Sequence, residues 1–115
     1  MLVVRRGRGR MTYKLFDMAE VIRSKNSGPF ELTFDIIFKD LQHFEAFVQN
    51  NAITKEIFAG LYNIPLEDVL STVSFPPAKA FKITIKRPMA SGDLGEKDIY
   101  GAQQHTPLLG FEYEI

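Results

Sequence analysis

Two short runs of polar side chains have the chemistry to hold a small anion. The first is Arg23-Ser24-Lys25-Asn26, followed closely by Gly28-Pro29. A guanidinium offers a planar fork of donors matched to a carboxylate or phosphate, and the hydroxyl, ammonium and amide beside it add more. The second run, Tyr100-Gly-Ala-Gln-Gln-His105, combines a phenol, two amides (Gln103, Gln104) and an imidazole. In that set His105 has the chemistry of a general base, and Tyr100, Gln103 and Gln104 that of groups orienting a polar ligand. Each run also has a plain structural reading. Arg23 can pair with Asp17 or Glu20, Asp35 can answer Arg23 or Lys25, and His105 can simply fasten the loop ahead of Pro107. No phosphate-binding glycine loop or dinucleotide fingerprint accompanies either run.

Both runs read as loops. Arg87 to Pro107 has neither helical nor alternating periodicity, and segments of that length in a small domain are usually functional or disordered. RSKN precedes a strand beginning near Phe30, and YGAQQH precedes one beginning near Leu108. If those strands are parallel neighbours or near-neighbours, both loops emerge at one sheet edge, and the Arg23 guanidinium and His105 ring are expected within about 10 Å of each other or within reach of one common small anion.

Composition narrows the function class. The 115 residues make one modest core, and 45% hydrophobic with 24% charged residues is an ordinary globular balance. No apolar run is long enough to span a bilayer as a helix. The chain has no cysteine, which removes thiolate chemistry and suits a reducing, cytoplasmic setting, and its two histidines make a metal site unexpected. Basic and acidic residues balance at 14 each, but Arg5, Arg6, Arg8 and Arg10 stand within the first ten positions. Ten basic against fourteen acidic residues remain for 11–115, a formal −4, which argues against nucleic acid as a partner. Residues 1–10 read as a flexible basic extension and 11–115 as a single domain.

The elements that must position these groups follow from hydrophobic spacing. Leu15, Met18, Ala19 and Ile22 favour a helical turn, with a short strand at 13–16 as the competing reading. Leu32, Phe34, Ile36 and Phe38 alternate as a half-buried strand, with Ile37 on its other face. Asp40 N-caps a helix with Phe44, Phe47 and Val48 inward, while His43 takes its solvent shoulder. Thr54 starts a second helix with Ile57, Phe58 and Leu61 inward, and Pro65 opens a short third one through Val69. Residues 70–75 and 80–86 read as a hairpin across Pro76-Pro77-Ala78-Lys79, with Phe81, Ile83 and Ile85 inward and Lys82, Thr84 and Lys86 in water. The last strand points Leu109, Phe111, Tyr113 and Ile115 inward; paired with 80–86, it sets its glutamates against the lysines. The layout is α+β, a mainly antiparallel sheet with helices packed on one face.

KLFDMAEVIRSKNSGPFELTFDIIFKD, IPLEDVL and DIYGAQQHTPLL together resemble the small bacterial proteins of domain-of-unknown-function family 4387, over nearly all of 11–115. More remotely, the element order and the opening before Arg23-Ser24 are similar to the C-terminal ferredoxin-fold domain of acyclic terpene utilisation (AtuA) proteins. The resemblance implies a ferredoxin-like α+β fold and an accessory role beside a larger AtuA-like subunit, in catabolism of branched or CoA-linked acids. It implies no cofactor. After Ser24 this sequence lacks the acidic residue and second glycine of the remote pattern. The expected role is that of an accessory subunit or small-anion (carboxylate or acyl-CoA-type) binding module. Its alternatives are an autonomous lyase or isomerase with His105 as base and Arg23 as carboxylate clamp, and a purely structural interaction protein. Ile37, with Val3 and Val4, suggests an apolar patch covered by a homo-oligomer or a larger partner.

Overall fold

The alternation in ELTFDIIF produces the strand on which the whole molecule is assembled. A computed structural model describes residues 11–86 and 106–115. Its elements are β1 (Thr12–Lys14), the single turn α1 (Leu15–Met18), β2 (Ala19–Gly28), β3 (Glu31–Phe38), α2 (Leu41–Gln49), α3 (Lys55–Tyr62), β4 (Val69–Phe75), β5 (Ala80–Lys86), the single turn α4 (Thr106–Leu109) and β6 (Glu112–Glu114). Short 3-10 turns at Leu66–Asp68 and Pro76–Ala78 lead into and out of β4.

Four strands form one antiparallel sheet in the order β2-β3-β5-β4, and β1 pairs with β6 in a second, two-stranded sheet. β3 and β4 are both antiparallel to β5, so they run parallel to each other with β5 between them. The α2–α3 connection is therefore the crossover of a split β-α-β unit, and the arrangement is compatible with a ferredoxin-like α+β fold. Here β2, from the start of the chain, fills the remaining edge beside β3.

One face of β3 carries Leu32, Phe34, Ile36 and Phe38, all fully buried, opposite Ile85, Ile83 and Phe81 of β5. Phe34 meets the rings of Phe58 and Tyr62 from α3, each at 5.0 Å between centroids. Phe47 of α2 contacts Phe38, Phe81 and Tyr113, tying the helix to both sheets. Both longer helices start on side-chain caps, since Asp40 accepts from the His43 amide at 2.9 Å and Thr54 from the Ile57 amide at 3.2 Å. Asn63 closes α3 in the left-handed region at φ 56°, a C-terminal stop that asparagine tolerates. The β2–β3 hairpin turns at Pro29-Phe30, entered through Gly28 at φ 152°, where a side chain would be strained.

Several expectations change here. Both readings of the first segment hold in part: a three-residue strand runs into one helical turn, and from Ala19 the chain pairs with β3. Sheet pairing overrides a helical spacing that spans only two turns. RSKN is not a loop; all four residues lie within β2. Polar sequence misleads at an edge strand, because solvent reaches it from the side as well as from a face. Ile57 is exposed and Leu61 half-buried, so α3 presents Phe58 and Ala59 to the core. β6 pairs with β1 rather than β5, setting Glu112 opposite Lys14. The α4 turn shifts the phase of the tail, burying Leu108 and exposing Leu109.

The ring contacts of Phe34 give a direct stability test. Phe34→Ala is expected to cost about 3–5 kcal/mol in urea unfolding. Phe16→Ala, at a side chain 61% exposed, is expected to stay within about 0.5 kcal/mol of the parent.

Candidate functional site

The second face of the four-stranded sheet carries the charged groups. Register places Arg23 of β2 and Lys82 of β5 on either side of Asp35 in β3. Arg23 Nε donates to Oδ2 and Lys82 Nζ to Oδ1, each at 2.9 Å, so each carboxylate oxygen has its own cation. The Asp35 side chain is 1% exposed, whereas those of Arg23 and Lys82 are 54% and 43% exposed. A carboxylate so buried is stable as an anion only when paired, and here its two cations also form part of its cover. Burial works to raise the Asp35 pKa. Hydrogen bonds from Lys82 and Arg23, reinforced by their charges, overcome it and hold the carboxyl below its ordinary value.

Two positive charges on one carboxylate leave the cluster net cationic, and the guanidinium uses only Nε on Asp35. Arg23 thus retains donors beyond those facing the carboxylate. One register step along, Thr33 meets Thr84 at 3.3 Å and donates to Ser27 at 2.9 Å; the step beyond opposes Glu31 and Lys86. In the other direction lie Val21, Ile37 and Ala80, with Phe75 of β4 beside Ala80. The face is graded, with apolar side chains at one end, a cationic centre and hydroxyls past it.

Alternation along β2 divides the first predicted run. Arg23 and Lys25 share the charged face, while Ser24 and Asn26 pair with Phe34 and Leu32 and so fall on the helix-bearing side. These four residues do not form one wall. Tyr100, Gln103, Gln104 and His105 lie outside the described residues, as do Val3 and Val4, and with them the proposed meeting of Arg23 and His105. Asp35 answers Arg23, one of the alternatives left open by the sequence, and Asp17 and Glu20 do not. Lys82 lies on the outward face as its alternation implies, and its ammonium additionally reaches Asp35. The legible signal for it was a lone aspartate on the outer face of a strong strand with lysines on the outer face of another. His43 is half-buried, its Nδ1 2.8 Å from Asp40 and its ring edge-on to Tyr13. The hydrogen bonds from the His43 backbone and side chain lower the Asp40 pKa, and the pair reads as an N-cap. Among the described residues no group of three or more metal-ligating side chains converges.

The profile of the family described as domain of unknown function (DUF4387) matches residues 15–112, and the chain belongs to that family. No curated protein and no solved structure matches it.

Because the folded Asp35 carboxyl titrates below its unfolded value, its stabilisation is complete above the unfolded pKa and is lost as pH falls through the folded one. Asp35→Asn is expected to cost about 2 kcal/mol near pH 7, because two charge-assisted hydrogen bonds are weakened while the half-exposed cations remain solvated. That difference from the parent is expected to start shrinking below about pH 4, read by urea unfolding across a pH series.

Proposed function

We propose that this member of the family is a small-anion-binding module whose ligand is a carboxylate with an apolar tail, either a free acid or an acyl-CoA-type thioester carrying anionic groups. It acts in the cytoplasm as an accessory subunit of a larger AtuA-like catabolic protein. The observation that carries the reading is the Arg23–Asp35–Lys82 cluster. A buried carboxylate fixes the positions of two half-exposed cations, so little side-chain freedom is lost when an anion docks on them. Asp35 is a positioning residue; Arg23 and Lys82 are the groups that touch the ligand. Same-face neighbours along a strand are roughly 7 Å apart, so a carboxylate on the cations lets a short branched chain reach the half-buried Ile37. The remote resemblance to the AtuA C-terminal domain supports the same ligand class and the larger partner.

Isovalerate is a suitable probe. In an NMR titration the amides near Arg23, Asp35 and Lys82 are expected to shift together, and Arg23→Ala to weaken binding about tenfold while the remaining spectrum stays folded. Arg23→Lys, which keeps the charge and loses the fork, is expected to fall between the two. Absence of shifts on this face at millimolar probe, or equal affinity in Arg23→Ala, would overturn the assignment.

A further inference from the structure

The two edges of the four-stranded sheet are built differently. β2 is guarded: it carries Glu20, Arg23 and Lys25, and its ladder to β3 breaks near each end. Charges and bulges of this kind discourage another strand from adding. β4, VLSTVSF, has no charged residue and no proline. Its single irregularity falls between Val69 and Ser71, leaving Ser71 to Phe75 in continuous register with β5. Among the described residues no strand lies beyond it. Val73 and Phe75 are each 50% exposed. On the helix-bearing side, a hollow floored by Phe47 and Phe81 opens beside Thr72 and Ser74, where side chains of an added strand would lie.

We propose that β4 is a homodimer interface, pairing antiparallel with β4 of a second copy across a two-fold axis to give a continuous eight-stranded sheet. The charges at its ends select this occupant and this direction. Glu67 and Asp68 immediately precede β4, and Lys79 sits in the turn that follows it. Antiparallel self-pairing brings the acidic start of one strand alongside the Lys79 turn of the other, whereas a parallel arrangement would set acid beside acid. A two-fold uses the same surface on both copies, so one uncharged edge serves both partners. The assembly leaves the Arg23–Asp35–Lys82 face accessible on each copy, and it stands or falls independently of the ligand proposed for that face.

The test needs no ligand: the mass of the full chain is measured in solution, by light scattering after size exclusion, at a concentration on the order of 100 µM. Twice the chain mass is expected. Val73→Lys places a charge on the exposed edge without entering the core and is expected to yield a folded monomer, with folding checked by circular dichroism. Phe16→Lys, exposed but remote from β4, is expected to remain dimeric. A monomeric parent overturns the proposal, as does a dimer that survives Val73→Lys or one that Phe16→Lys disrupts equally.

Discussion

A carboxylate sealed in the middle of a sheet must keep its counter-ions, and that requirement organises the outer face of this protein. Asp35 is bonded to one neighbour strand through Arg23 and to the other through Lys82. A slip of β2 or β5 by one residue would turn that strand's cation to the opposite face and leave one oxygen of the buried carboxylate without its partner. Hydrophobic alternation alone resists such a slip from the core side; the ion triad resists it from the solvent side. β3 is consequently held in register by two unlike forces, one on each face.

The same strand shows what sequence makes legible. Four large apolar residues at every second position leave little choice of element or face, and the caps at Asp40 and Thr54 announce helices through a local interaction. The hairpin at Pro76-Pro77 is similarly local. What escaped were relations between distant segments. Whether β6 joins β5 or β1 depends on which apolar surface is left after the helices pack, and nothing in residues 109–115 encodes that. Arg23-Ser24-Lys25-Asn26 looked like one cluster because its members are adjacent in sequence, yet a strand sends adjacent side chains to opposite faces. Asp35 and Lys82 were each visible as polar residues in strands, but their meeting follows from a register that only the folded sheet establishes.

The topology explains why an N-terminal segment takes part in the candidate site at all. The split β-α-β unit of β3, β4 and β5 leaves one position open beside β3. Filling it with the strand immediately preceding β3 makes a hairpin, the least demanding connection for an antiparallel neighbour. Arg23 reaches Asp35 through this local hairpin, while Lys82 arrives from the far side of the α2–α3 crossover.

The small β1–β6 sheet has a kinetic consequence. Its ladder joins the first and last described segments, closed further by paired backbone hydrogen bonds between Met11 and Ile115. Among the described residues these contacts span the greatest sequence separation, whereas the β2–β3 and β4–β5 hairpins are close in the chain. Loop-closure entropy makes such a clasp slow to nucleate, so it forms after the hairpins and helices have assembled the surface that Tyr113 packs against. Order in this protein spreads outward from β3, and the first and last described segments meet last.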